Sequence, residues 1–178
     1  VQDGHYLVAT LTGGKVVTLE RRTLKSLRTT NLGADTGMIA WWQGGGMLIA
    51  ASRHAESWYR FAPVGDEALL TRVLPVDGDL ASLSEAGERG WVASSADRML
   101  VPFDLKDGNV PGGGLRLPDH PGGLVFDEVA QQLIVSSPID DRLWRIDPAA
   151  ARMLALPELR WRFRDLAVND ATQEVVAV

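Results

Sequence analysis

Residues Gly122–Asp147 read GGLVFDEVAQQLIVSSPIDDRLWRID. Three apolar runs of about five residues lie between turn formers, which is the pattern of short strands joined by tight turns. The central run, Leu133-Ile134-Val135-Ser136-Ser137, has copies elsewhere in the chain: Leu7-Val8-Ala9-Thr10, Leu48-Ile49-Ala50-Ala51-Ser52, Trp91-Val92-Ala93-Ser94-Ser95 and Val175-Val176-Ala177-Val178. From Leu7 the steps are 41, 43, 42 and 42 residues. Two more series carry the same interval. Met38, Leu80, Leu124 and Leu166 are separated by 42, 44 and 42 residues, and Val16, Trp58, Leu100 and Leu143 by 42, 42 and 43. A period near 42 built of β-segments predicts an all-β propeller with four strands per blade. One such unit cannot bury both faces of its sheet, so a core exists only where blades stack.

The apolar runs are short, β-branched and bounded by Gly, Pro or Asp, which suits buried strands rather than helices. No stretch of eleven residues keeps an apolar stripe at helical period. Ala149–Leu156 has helix-forming residues, but Pro148 and Pro157 bracket it and its place in the repeat demands an outer strand. The units expected are 5–32, 36–75, 78–118, 121–157 and 164–178. With strands lettered a to d from the inside outward, the first unit begins on a b strand and the last ends in one. A segment of a larger ring, four repeats plus part of a fifth, is therefore expected rather than a complete four- or five-bladed propeller.

Composition narrows the function classes. The net charge is −5 with a basic content of 18 against 23 acidic residues, and no basic cluster is large enough to neutralise a phosphate backbone. Nucleic acid is not expected as a partner. Cysteine is absent, which excludes disulfides, thiolate metal sites and a Cys nucleophile. No apolar run approaches the roughly 20 residues that span a bilayer, and the N-terminus shows no signal-peptide pattern.

The stretch Gly122–Asp147, extended through Pro148-Ala149-Ala150, resembles the NHL and YVTN groups of bacterial-type β-propellers. Their first strand starts with Gly and ends in Asp, their second reads like LYVAN and their third like VxVIDPA. The matching residues are Gly123–Asp127, Leu133–Ser137 and Leu143–Ala149, with weaker copies at Val16–Leu24 and Met99–Asp104. The Trp-Asp and Gly-His marks of the WD-repeat group are missing. The resemblance implies an architecture rather than one activity.

Candidate binding residues follow from the letters of the strands. In a propeller the b–c and d–a connections share one face. His54 and Glu56, Asp97 and Arg98, and Asp140, Asp141 and Arg142 fall in b–c turns, and His120 falls in a d–a loop. Two histidines and a set of carboxylates are thereby expected on one face. The plainer reading of the acidic residues is turn chemistry, because Asp bonds its own backbone in an Asx turn and turn devices recur with the repeat. Asp35, Asp77, Asp79, Asp119 and Asp165 in the d–a loops fall under that reading.

Catalytic patterns are lacking. No Gly-x-Ser-x-Gly elbow occurs, and Gly44–Gly46 and Gly112–Gly114 lack the Lys-Ser/Thr and the helix of a phosphate-binding loop. Gluconolactonase-type propellers hold a metal with Glu, Asn and Asp, and Asn169 falls at the face opposite such a site. The Arg160-Trp161-Arg162-Phe163-Arg164 alternation is either a contact strip or an ordinary strand with a buried aromatic face. The expected function is a non-enzymatic binding or scaffold propeller, without metal or cofactor, holding a protein or small-molecule ligand on the b–c and d–a loops. The alternative is part of the propeller of an extracytoplasmic enzyme, a hydrolase, lactonase or oxidoreductase. The localisation leans periplasmic or extracellular.

Overall fold

The computed structural model describes residues 6–32, 36–42, 47–52, 57–61, 69–73, 78, 80–84, 88–139, 141–154, 166–169, 172 and 174–177, with backbone alone in 36–73. Every regular element among them is a β-strand. The first sheet holds β1 (Tyr6–Leu11), β2 (Lys15–Glu20) and β3 (Ser26–Asn31). The second holds β4 (Thr36–Trp42), β5 (Met47–Ser52), β6 (Ser57–Phe61) and β7 (Leu69–Val73). The third holds β8 (Leu80–Leu83), β9 (Arg89–Ser94), β10 (Met99–Asp104) and β11 (Leu115–Arg116). The fourth holds β12 (Gly123–Asp127), β13 (Gln132–Ser137), β14 (Arg142–Asp147) and β15 (Arg152–Leu154), and the fifth β16 (Leu166–Asn169) and β17 (Glu174–Ala177).

Each sheet is an antiparallel meander with its strands in chain order. Strands β4, β8, β12 and β16 are neighbours in succession, so the first strands of consecutive sheets line the inside and the sheets stack as blades. The region Ala149–Leu156 does form the outer strand that its repeat position demands, as Arg152–Leu154. The four residues before it, 148–151, make the turn.

Several turns share one backbone device. The loops 21–24, 95–98, 128–131, 138–141 and 148–151 end in Leu24, Arg98, Gln131, Asp141 and Ala151, and all five have φ between 47° and 55°. A left-handed residue costs a non-glycine side chain about 1 kcal/mol, so these turns persist because the flanking ladders fix them. Two of these turns, and the turn after Asp104, have their amides satisfied in one repeated way. Asp104 Oδ1 accepts from the Lys106 and Asp107 N–H groups, Asp127 Oδ1 from Val129 and Ala130, and Asp147 Oδ1 from Ala149 and Ala150. These are the Asx turns that the repeated Asp residues imply.

Among the described residues, a buried apolar cluster lies at the seam between the third and fourth blades. Trp91, Ala93, Leu100 and Leu117 of the third meet Leu124, Phe126, Leu133, Val135, Trp144 and Ile146 of the fourth, all buried. The Trp91 and Phe126 rings stack with centroids 4.5 Å apart at 23°. Burying each large side chain is worth about 1.5–3 kcal/mol, so this seam holds the two sheets together. A cross-seam hydrogen bond adds direction: the Phe126 N–H donates to the buried Ser82 Oγ at 2.9 Å.

Facing corrects the alignment of the repeats. Trp91 points to the fourth blade, whereas Leu133 sits on the side of the fourth blade that faces back to the third. The opposite side of the fourth blade meets the fifth, since a Cβ on Gly123 would lie 3.3 Å from Leu166 Cγ. A uniform shift of 43 relates the two blades, pairing Gly90 with Leu133, Trp91 with Ile134, Phe103 with Ile146 and Asp104 with Asp147. The 42-residue step from Trp91 to Leu133 and the 44-residue step from Leu80 to Leu124 are each one residue out. A one-residue slip exchanges the faces of a strand. The Leu100–Leu143 step is right.

Candidate functional site

The b–c turn of the third blade is built from its serines. Ser94 Oγ is buried at the end of β9, donates to Asp97 Oδ2 at 3.1 Å and accepts the Asp97 N–H at 3.1 Å. This reciprocal pair closes the turn and leaves Arg98 to take the left-handed position. The Arg98 carbonyl accepts the Leu117 N–H at 2.7 Å, which brings the end of the outer strand to the same place.

From Leu117 the chain crosses back to the inside through Pro118-Asp119-His120-Pro121-Gly122. Two prolines limit this crossing to few backbone states. It is tied to both blades. On the third-blade side, His120 Nδ1–H donates to the Ser95 carbonyl, and Ser95 Oγ donates to the Pro121 carbonyl at 2.9 Å. On the fourth-blade side, Ser137 Oγ donates to Asp119 Oδ2 at 2.6 Å, and the Gly122 N–H donates to the Ser136 carbonyl at 2.8 Å. A carbonyl has no proton to give, so the bond to Ser95 fixes the proton on Nδ1 and turns Nε2 away from it.

Asp119 is the electrostatic centre of this group. The Ser137 hydroxyl, the His120 amide and the charges of His120 and Arg98 hold its carboxyl below the usual range, against the opposing effect of its partial burial. A carboxylate gripped by one hydroxyl and one amide, with a guanidinium nearby, is a fixed negative charge rather than a proton carrier at neutral pH.

The structure therefore brings together Asp97, Arg98 and His120 around Ser95, with Asp119 and Ser137 linking them to the b–c turn of the fourth blade. Asp141 and Arg142 lie in that turn, Asp141 at the left-handed position equivalent to Arg98. His54, Glu56 and Asp140 lie outside the described residues, as do Asp35, Asp77, Asp79, Asp165 and the Arg160–Arg164 strip. Asp119 corrects the expectation of simple turn chemistry, because its carboxylate reaches a hydroxyl 18 residues away. Ser95 and Ser137 were not among the expected site residues. Their signal was in the sequence as the two Ser-Ser pairs at the ends of the b strands, Ser94-Ser95 and Ser136-Ser137, which sit one residue out of register with each other.

Among the described residues no three His, Asp or Glu side chains are grouped to hold a metal ion, and no helix is long and apolar enough to cross a membrane. The group places hydrogen-bonding side chains and charges of both signs where two blades meet.

No family model matches the sequence, and no curated relative does. Among solved structures, the chain is similar to the Cps50 (Swd1) β-propeller domain of Myceliophteria thermophila, with a TM-score of 0.77 at 15% identity. The match covers 98% of this chain and 58% of that one, so the chain spans less than two thirds of the length of that protein. At this identity the likeness shows the fold alone, and the fold is a β-propeller.

Proposed function

We propose that the chain is a non-enzymatic binding module of the YVTN/NHL-like kind, whose b–c and d–a loops hold a protein or small-molecule ligand on one face. The observation that supports this reading is the double anchoring of the Asp119-His120 crossing, to Ser95 of one blade and Ser137 of the next. It ties the b–c turns of two adjacent blades to one crossing, and a preorganised surface loses little entropy when a partner docks. Arg98, Arg142, Asp97 and Asp141 supply charge of both signs, which favours a polar partner surface over an apolar one. His54, Glu56 and Asp140 belong to the same proposed face by their place in the repeat.

Site-specific photo-crosslinking in cells tests it. A benzoylphenylalanine at Ala96 or Arg142 should capture a partner, Arg98→Glu should abolish the capture, and a probe at the exposed Arg22, in the c–d turn of the first blade on the opposite face, should not report it. Equal capture at Arg22, or insensitivity to Arg98→Glu, would sink the reading. So would turnover of ester, lactone or redox substrates that is lost with the Asp119→Asn change.

A further inference from the structure

The seam between the third and fourth blades opens into a cleft on the other face, among the a–b and c–d turns. Trp91 and Pro148 line both of its parts, with Leu100, Pro102, Leu115 and Ile146 toward the outside, and Ser84, Phe126 and Ala149 toward the inside. Its floor is the Trp91–Phe126 stack, and its rim carries Glu88, Arg89, Asp104 and Gln131.

These rim groups have unspent hydrogen-bonding capacity. Asp104 gives Oδ1 to two turn amides, which leaves Oδ2. Gln131 donates its Nε2 to the Glu128 carbonyl, which leaves Oε1 as an acceptor. Glu88 and Arg89 are exposed, and among the described residues neither side chain makes a hydrogen bond or ion pair, although Arg89 and Asp104 are direct cross-strand partners. Two carboxylates stand against one guanidinium on the rim. Beyond it Asp127, Glu128 and Asp147 outweigh Lys106 and Arg152, so the field over the cleft is negative.

We propose that this cleft binds an extended peptide segment through one arginine side chain. The apolar walls at Trp91, Phe126 and Pro148 take its methylenes, and Glu88, Asp104 Oδ2 and Gln131 Oε1 receive the guanidinium. The three acceptors suit a planar five-donor group better than a single ammonium. The arm of an arginine is apolar along its length and charged at its tip, matching a cleft that is apolar below and acidic above. This site is separate from the b–c and d–a face and stands whether or not that face binds anything.

The test uses the full-length protein that contains these residues, labelled with 5-fluorotryptophan, and two capped peptides, Ac-Leu-Arg-Leu-NH2 and Ac-Leu-Glu-Leu-NH2. The arginine peptide should shift the Trp91 fluorine resonance saturably, and the glutamate peptide should not. Glu88→Gln with Asp104→Asn should weaken binding about tenfold or more, while circular dichroism and the other tryptophan resonances stay unchanged. Asn keeps the Oδ1 that caps the turn, so this variant is expected to fold. A Trp91 resonance that never moves, equal binding of the glutamate peptide, or unchanged affinity in the double variant would each overturn the proposal.

Discussion

The third and fourth blades solve one packing problem in two ways. At one pair of positions the third blade has Gly90 opposite Phe103, while the fourth has Leu133 opposite Ile146. Gly90 is glycine because a Cβ there would lie 2.4 Å from Phe103 Cζ. The fourth blade spreads the same volume over two aliphatic residues. Three positions on, the third blade has Ala93 and the fourth Ser136, and both are completely buried. Among the described residues Ser136 Oγ finds no hydrogen-bond partner. The serine that follows also diverges: Ser94 closes its own turn onto Asp97, whereas Ser137 reaches the Asp119 carboxylate of the crossing loop. Repeats in a propeller keep backbone and volume while individual hydroxyls are reassigned. A repeat thus keeps its fold while one seam acquires a polar site.

The largest effect should come from moving the fourth-blade solution into the third. Gly90→Leu alone overpacks Phe103 and should cost about 3 kcal/mol in urea unfolding. Adding Phe103→Ile should recover at least half of that, and a double variant no better than the single one would break the equivalence of the two pairs. Next comes the anchoring bond. Ser137→Ala removes a hydroxyl donated to a carboxylate and should destabilise by about 1.5 kcal/mol. Ser94→Ala should cost less, since its bonds stay within one turn and reach only three residues along the chain.

The Asp119 bond has a pH signature. Its folded-state pKa is depressed below the ordinary aspartate value. The charged form is thus favoured by folding, and the stabilisation is present above the unfolded pKa and lost as pH falls through the lower folded one. Asp119→Asn should therefore narrow the stability gap between wild type and variant as pH drops below about 4. A gap that grows on acidification would contradict the assignment.

A smaller effect of opposite sign is expected at the buried hydroxyl. Ser136→Ala should leave stability equal or raise it by up to about 1 kcal/mol, since it removes a desolvated group without a partner and copies Ala93. The smallest difference should be at the left-handed turn positions. Arg98→Gly and Asp141→Gly both relieve strain, and Arg98→Gly should gain more, by roughly 0.5 kcal/mol, because Asp tolerates this conformation better than Arg. Equal gains would show that the two turns are held by their surroundings in the same way.

Much of this molecule is legible in its sequence. Short β-branched runs, Gly- and Asp-bearing turns and a period near 42 determine strands, turns and propeller class, because each is a local property repeated until chance is excluded. Ser94-Ser95 and Ser136-Ser137 marked where the polar groups would gather. Periodicity could not say which face each residue takes: the Trp91–Leu133 alignment is wrong by one, and one residue is half the side-chain period of a strand. Only the seam shows that Trp91 meets Phe126. Likewise, Asp119 resembles every other turn aspartate until tertiary packing sets a hydroxyl from 18 residues away against it. The sequence by itself determined the repeating unit. The stacking of one unit on the next decided which side chains became core, anchor or rim, because those roles depend on neighbours that no single repeat contains.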